Sequence, residues 1–80
     1  MVTVRLNRLA FEVALSRENL SQRDLADRIG FSRSHLSHII NGRRIASPVL
    51  RRLILKELPE YTFDDLFTIE ENGQNASTGD

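Results

Sequence analysis

"SQRDLADRIGFSRSHLSHIINGRR", residues 21–44, decides how this chain folds. Ser21 stands where an N-cap belongs, and Asp24, three residues on, suits both a capping box and the positive end of a helix. Leu25, Ala26 and Ile29 form the inward side of that helix, which stops at Gly30, the residue best able to take positive φ. Phe31 is the apolar plug of the turn, and Ser32 caps the next helix. There Leu36, Ile39 and Ile40 recur at i, i+3, i+4 and turn inward, so Arg33, Ser34, His35, Ser37 and His38 are distributed over the other faces. A helix that only fills a core has no need of such a row of donors and acceptors. Asn41-Gly42 is a turn signal, and Arg43-Arg44 sit in the loop beyond it.

The flanking segments read as helices as well. Leu6, Leu9, Ala10, Val13 and Ala14 follow the i, i+3, i+4, i+7, i+8 stripe, with Phe11 and Leu15 widening it, which predicts a first helix from about Val4 to Arg17. Asn19 suits a left-handed residue closing it. Ser47-Pro48 opens a fourth helix with a cap and a proline at N1, Val49, Leu50, Leu53, Ile54 and Leu58 form its apolar stripe, and Pro59 ends it. Thr62 with Asp65 caps a short fifth helix containing Phe63, Leu66 and Phe67. No strand pattern is read anywhere, so the expected fold is all-α, a compact bundle of five short helices. It places one domain over residues 1–69 and a disordered acidic and polar tail over residues 70–80, where "EENGQNASTGD" lacks an anchoring side chain.

Composition narrows the classes of function. Forty per cent hydrophobic and 28% charged residues are ordinary for a globular chain. No apolar run approaches the roughly 20 residues of a membrane span, and no secretory leader is recognised, so a cytoplasmic protein without a membrane partner is expected. The absence of cysteine removes disulfides and thiolate metal sites. The formal net charge of zero hides a segregation. Residues 1–58 hold all 11 Lys and Arg against five acids (Glu12, Glu18, Asp24, Asp27 and Glu57), a net of +6, whereas residues 59–80 hold six acids and no base. A basic body with an acidic tail is compatible with a nucleic-acid partner and equally with helix faces that happen to sort this way.

Two short helices joined by a glycine turn, the second carrying polar side chains outward, have the layout of a helix-turn-helix, in which the second helix enters the major groove of DNA. "LSQRDLADRIGFSRSHLSHIINGRR", followed by "SPVLRRLILKEL" and "TFDDLF", resembles the lambda repressor-like, Cro/C1-type (XRE) helix-turn-helix family over roughly Arg5 to Phe67. The resemblance implies a phage- or bacterial-type transcriptional regulator that binds double-stranded operator DNA, commonly as a homodimer. Carried over by position, Gln22 corresponds to a residue that holds a phosphate and braces the start of the recognition helix. Arg33, Ser34, Ser37 and His38 correspond to base-contacting positions. Asn41, Arg43 and Arg44 correspond to phosphate contacts. The chemistry agrees: the Arg33 guanidinium can donate two parallel hydrogen bonds to guanine, while the serine hydroxyls both donate and accept and so select less. His35 points more to the side and suits a backbone contact.

Plainer readings stand beside these. Arg33 can be a solvated surface arginine, Arg43 and Arg44 can interact with the end of their own helix, and Ser21 and Ser32 are caps under either view. His35 and His38, at i, i+3, lack a third ligand in register, so no metal or cofactor is expected. Ser34 and Ser37 lack a nucleophile elbow, which argues against an enzyme with a small-molecule substrate. The competing function is a protein-interaction module of antitoxin or antirepressor type, whose mark would be an exposed apolar surface on the fourth or fifth helix, with Leu55 and Tyr61 as candidates that could equally form a homodimer interface. In one place the chain departs from the family: many relatives pair an arginine late in the first helix with a glutamate before the Asn-Gly turn, and here Leu15 and Ile40 hold those places. Their joint replacement by hydrocarbon avoids a stranded charge, so the two are expected to touch.

Overall fold

The computed structural model describes residues 1–71. Among them five helices and two strands follow in the order β1 (Val2–Leu6), α1 (Arg8–Arg17), α2 (Gln22–Ile29), α3 (Arg33–Ile40), α4 (Pro48–Glu57), α5 (Phe63–Leu66) and β2 (Phe67–Glu71). The strands pair antiparallel, with Val2 opposite Glu71, Val4 opposite Ile69 and Leu6 opposite Phe67. The fold is therefore not all-α: a two-stranded sheet joins the two ends of the helical body.

The expectation of a first helix from Val4 fails for a local reason. Val2, Val4 and Leu6 alternate with Thr3 and Arg5, the two-residue period of a strand, and β-branched residues favour it. Asn7 then caps α1, its side chain accepting the Ala10 N–H at 3.1 Å, so the helix starts at Arg8. The Asn7 N–H itself donates to the Leu66 carbonyl at 2.8 Å, tying the start of α1 to the end of α5. With Leu6 in the sheet, the inward side of α1 is Phe11, Ala14 and Leu15, while Leu9 and Val13 of the expected stripe are exposed. The aromatic ring, with the largest apolar surface, takes the interior. Glu70 and Glu71, expected in a tail, belong to β2, and the rest of that expected tail, residues 72–80, lies outside the described residues.

The remaining helix ends follow the expected chemistry. Asn19 adopts φ 58° after α1, where the Leu20 N–H reaches the Leu15 carbonyl at 2.9 Å. Ser21 and Asp24 form a capping box on α2, and Thr62 and Asp65 another on α5. Ser47 caps α4 with Pro48 in its first turn. The core gathers Phe11, Leu25, Leu36, Leu50, Ile54, Leu58 and Leu66, all fully buried, together with Ala46, which the stripe of α4 did not include. Val49, which it did include, is exposed. Phe63 is half-buried and stacks on Phe67 with ring centroids 5.2 Å apart. Leu15 and Ile40 are both buried in this one core.

Two expectations can be measured. Ile40→Glu places an unpaired carboxylate in hydrocarbon and should cost about 3–5 kcal/mol, a large part of a small domain's stability. Leu15→Arg added to it should recover part of the loss in a double-mutant cycle read by thermal or urea unfolding; strict additivity would show that the two sites do not meet. The Asp24 carboxyl is held below its ordinary value, first by the Ser21 backbone N–H and then by the Ser21 hydroxyl. Its capping contribution is therefore present above pH 3.8 and is lost as pH falls through the lower folded value. Asp24→Asn should be less stable than the parent at neutral pH, the gap closing under acid titration; a gap independent of pH would contradict this.

Candidate nucleic-acid interface

The geometry of the exposed face is set at the turn between α2 and α3. Gly30, at φ 79°, allows the chain to leave α2 with its N–H and that of Phe31 both on the Ala26 carbonyl, at 2.9 and 3.0 Å. A residue with a Cβ would be strained at that angle although space is open around it. Ser32 then starts α3, its hydroxyl oxygen accepting the His35 N–H at 3.0 Å. Phe31 is half-buried against the core and stacks on His35, with ring centroids 5.4 Å apart and planes 27° from parallel. His35 is thus engaged with the turn, which its expected sideways direction did not specify.

Leu36, Ile39 and Ile40 are buried and fix how α3 is rotated about its axis. At about 100° per residue they span one arc of about 100°, and Arg33, Ser37, Asn41, Ser34 and His38 occupy an arc of about 140° on the other side. Arg33, Ser34, His38 and Asn41 are exposed, and Ser37 is half-buried. The Asn41 side-chain amide donates to the Ser37 hydroxyl oxygen at 3.3 Å, one turn apart. The four positions expected to contact bases therefore share one outward face, with Asn41 at its end.

The loop after α3 is also defined. Gly42 takes φ 82°, and the N–H groups of Arg43 and Arg44 converge on the His38 carbonyl at 2.8 and 3.2 Å. The end of α3 is satisfied by backbone donors, so the two guanidinium groups are not needed for that purpose. Both side chains are exposed. Among the described residues neither they nor Arg33 forms an ion pair, whereas Arg5, Arg8 and Arg28 pair with Glu70, Glu12 and Glu57. Sequence reasoning missed one support of this loop: the Arg51 guanidinium on α4 donates to the Ala46 carbonyl at 2.7 Å and pins its far end. An arginine five residues from an apolar alanine gives no local signal of such a bond. Gln22 opens α2 and is half-buried; among the described residues its side chain makes no hydrogen bond, so a brace onto α3 is not present.

Leu9, Ala10, Val13 and Tyr61, with Asn7, Glu60 and Asp65, line an open hollow of about 440 Å³. Leu55 and Tyr61 are half-buried against the core rather than free on the surface. Among the described residues no three His, Asp or Glu side chains are grouped to hold a metal ion, and no helix is long and apolar enough to cross a membrane.

Comparison with known proteins adds one match. A family model described as helix-turn-helix, of Cro/C1 type, matches residues 14–66, from the buried Ala14 in α1 to the end of α5. No curated protein and no solved structure matches the chain. The matched span includes both helices of the glycine turn, the polar face of α3 and the loop behind it, and it covers more than half of the 80 residues. The chain belongs to the Cro/C1-type helix-turn-helix family.

Proposed function

We propose that this chain is a cytoplasmic, sequence-specific regulator of transcription, of the phage or bacterial repressor type, that inserts α3 into the major groove of operator DNA. The family is one of DNA-binding regulators. The observation that carries the finer reading is the outward arc of α3, where Arg33, Ser34, Ser37 and His38 stand together opposite a buried apolar side. In this reading α2 and α3 are the helix-turn-helix unit, and α2 lies across the phosphate backbone. An α-helix fits the roughly 12 Å width of the major groove, and residues at its N-terminal end then reach base edges.

The roles divide by chemistry. Arg33 presents a planar fork of donors that matches O6 and N7 of guanine, a match worth about 1–3 kcal/mol of discrimination. Ser34 and Ser37 add contacts of lower selectivity, and His38 donates to or accepts from a base edge. Gln22, Asn41, Arg43 and Arg44 contact phosphates, fix the register and supply the salt-dependent share of affinity. The absence of acid partners for Arg33, Arg43 and Arg44 among the described residues supports this division, since their charge is available to a polyanion. A homodimer on a palindromic site would place two copies of α3 about one helical turn, roughly 34 Å, apart.

The second reading, an interaction module for another protein, is favoured by the apolar hollow at Leu9, Val13 and Tyr61. The two differ in their response to salt. On duplexes selected from a random pool, affinity should fall steeply with ionic strength. Arg33→Ala should weaken binding to the selected sequence by about 1–3 kcal/mol while leaving nonspecific binding close to the parent's. Arg44→Ala should weaken all duplexes alike and reduce the salt slope by about 1. Fluorescence anisotropy titrations at several salt concentrations read both. No duplex binding at low salt would overturn the proposal and leave the interaction module.

A further inference from the structure

The ribbon of β1 and β2 is incomplete as a sheet. A two-stranded ribbon is marginal in water, and among the described residues no third strand lies on either edge. At its base Leu6 and Phe67 pack into the core, but toward its far end the same face carries Val2 and Ile69, 60% and 57% exposed. The opposite face is polar, with Thr3, Arg5, Thr68 and Glu70.

We propose that β1 pairs antiparallel with β1 of a second copy of this chain, giving a four-stranded sheet in the order β2-β1-β1-β2 across a two-fold axis. The inference builds on the DNA-binding reading only in that it names the surface by which two copies of α3 would be held together. The choice of edge follows from charge and closure. Pairing β2 with β2 would bring Glu71 of both copies, which has no ion-pair partner among the described residues, to a seam with no base on either strand, whereas the Glu70 charge is met by Arg5; like charges across a sheet are destabilising. Pairing β1 with β2 is heterologous; it leaves an open edge at each end and propagates chains into fibres. Pairing β1 with itself is isologous and closes at two copies.

The side chains of β1 suit that seam. Arg5 is its one charged side chain, and that charge is already met within the copy by Glu70 at 2.9 Å. Because Val2, Val4 and Leu6 alternate with Thr3 and Arg5, antiparallel self-pairing keeps the apolar residues of both copies on one face. It also lays the far end of each ribbon beside the base of the other. The exposed Val2 and Ile69 of one copy thereby come to the region where α1 of its partner begins, with Leu9 there 72% exposed.

The lack of cysteine in the chain makes this directly measurable. A single cysteine at Val4, the middle residue of β1, and single cysteines at Thr68 and Glu71 on β2, would be oxidised under mild conditions and disulfide-linked dimers followed on non-reducing gels. The Val4 variant should cross-link at least about tenfold faster than the β2 variants, since in antiparallel self-pairing only the residue beside the two-fold axis meets its own copy at the roughly 4.5–5.5 Å Cβ separation of strand neighbours. The unmodified chain should sediment as a dimer, and Val2→Lys, with an unchanged melting profile for each monomer's helices by circular dichroism, should shift it toward monomer. Faster cross-linking on β2, or a monomer at every concentration, would overturn the proposal. Loss of duplex binding by a chain that still dimerises through β1 would remove the DNA reading and leave this interface standing. A monomeric Val2→Lys that keeps salt-dependent binding to a single half-site would support both.

Discussion

Three buried side chains, Leu36, Ile39 and Ile40, hold α3 at one rotation about its axis, and every property of its outer face depends on that constraint. Turning the helix by one residue would carry Arg33 or His38 toward the core and expose an isoleucine. The cost of burying an unpaired guanidinium is several kcal/mol, comparable with the total stability of a small domain. The rotation is therefore not adjustable. Gly30 and Ser32 set where α3 begins, the Phe31–His35 stack fills the angle between α2 and α3, and the His38 carbonyl collects the loop that follows. Local bonds thus orient the polar face, while the shared core keeps it in place.

Much of this was legible because the helix-forming signals act over three or four residues. Ser21 with Asp24, Ser32, Ser47 with Pro48, and Thr62 with Asp65 each bond within their own first turn, so the starts of α2 to α5 follow from sequence alone. The sheet was not legible for the converse reason. "VTVRL" and "FTIEE" each show a two-residue alternation, but each is only five residues long, and their cross-strand ion pair joins positions 65 apart. A single short alternation has no partner until the fold brings the chain ends together. A helix read from Val4 centres the stripe of α1 on Leu9 and Val13, which are exposed, whereas its Ala14 edge with the flanking Phe11 and Leu15 is the side that is buried.

At the polar face, exposure was readable and pairing was not. The 3.6-residue period put Arg33, Ser34 and His38 outside, as found. It did not disclose that Asn41 bonds to Ser37, that His35 stacks on Phe31, or that Arg51 holds the Ala46 carbonyl. Those contacts depend on rotamers and on loop geometry, which residue spacing does not encode. They also divide the arginines. Arg51 is occupied in holding the loop and Arg28 leans toward Glu57, at 3.7 Å, whereas Arg33, Arg43 and Arg44 form no ion pair among the described residues.

The central claim is that the outward arc of α3 is the surface that meets DNA. Amide chemical-shift mapping of the isotope-labelled chain, titrated with a duplex selected from a random pool, tests it most directly. The largest shifts are expected on Arg33–Asn41 and on the Arg43-Arg44 loop, with the hollow at Leu9 and Val13 little changed. Large shifts around that hollow with α3 unmoved would contradict it.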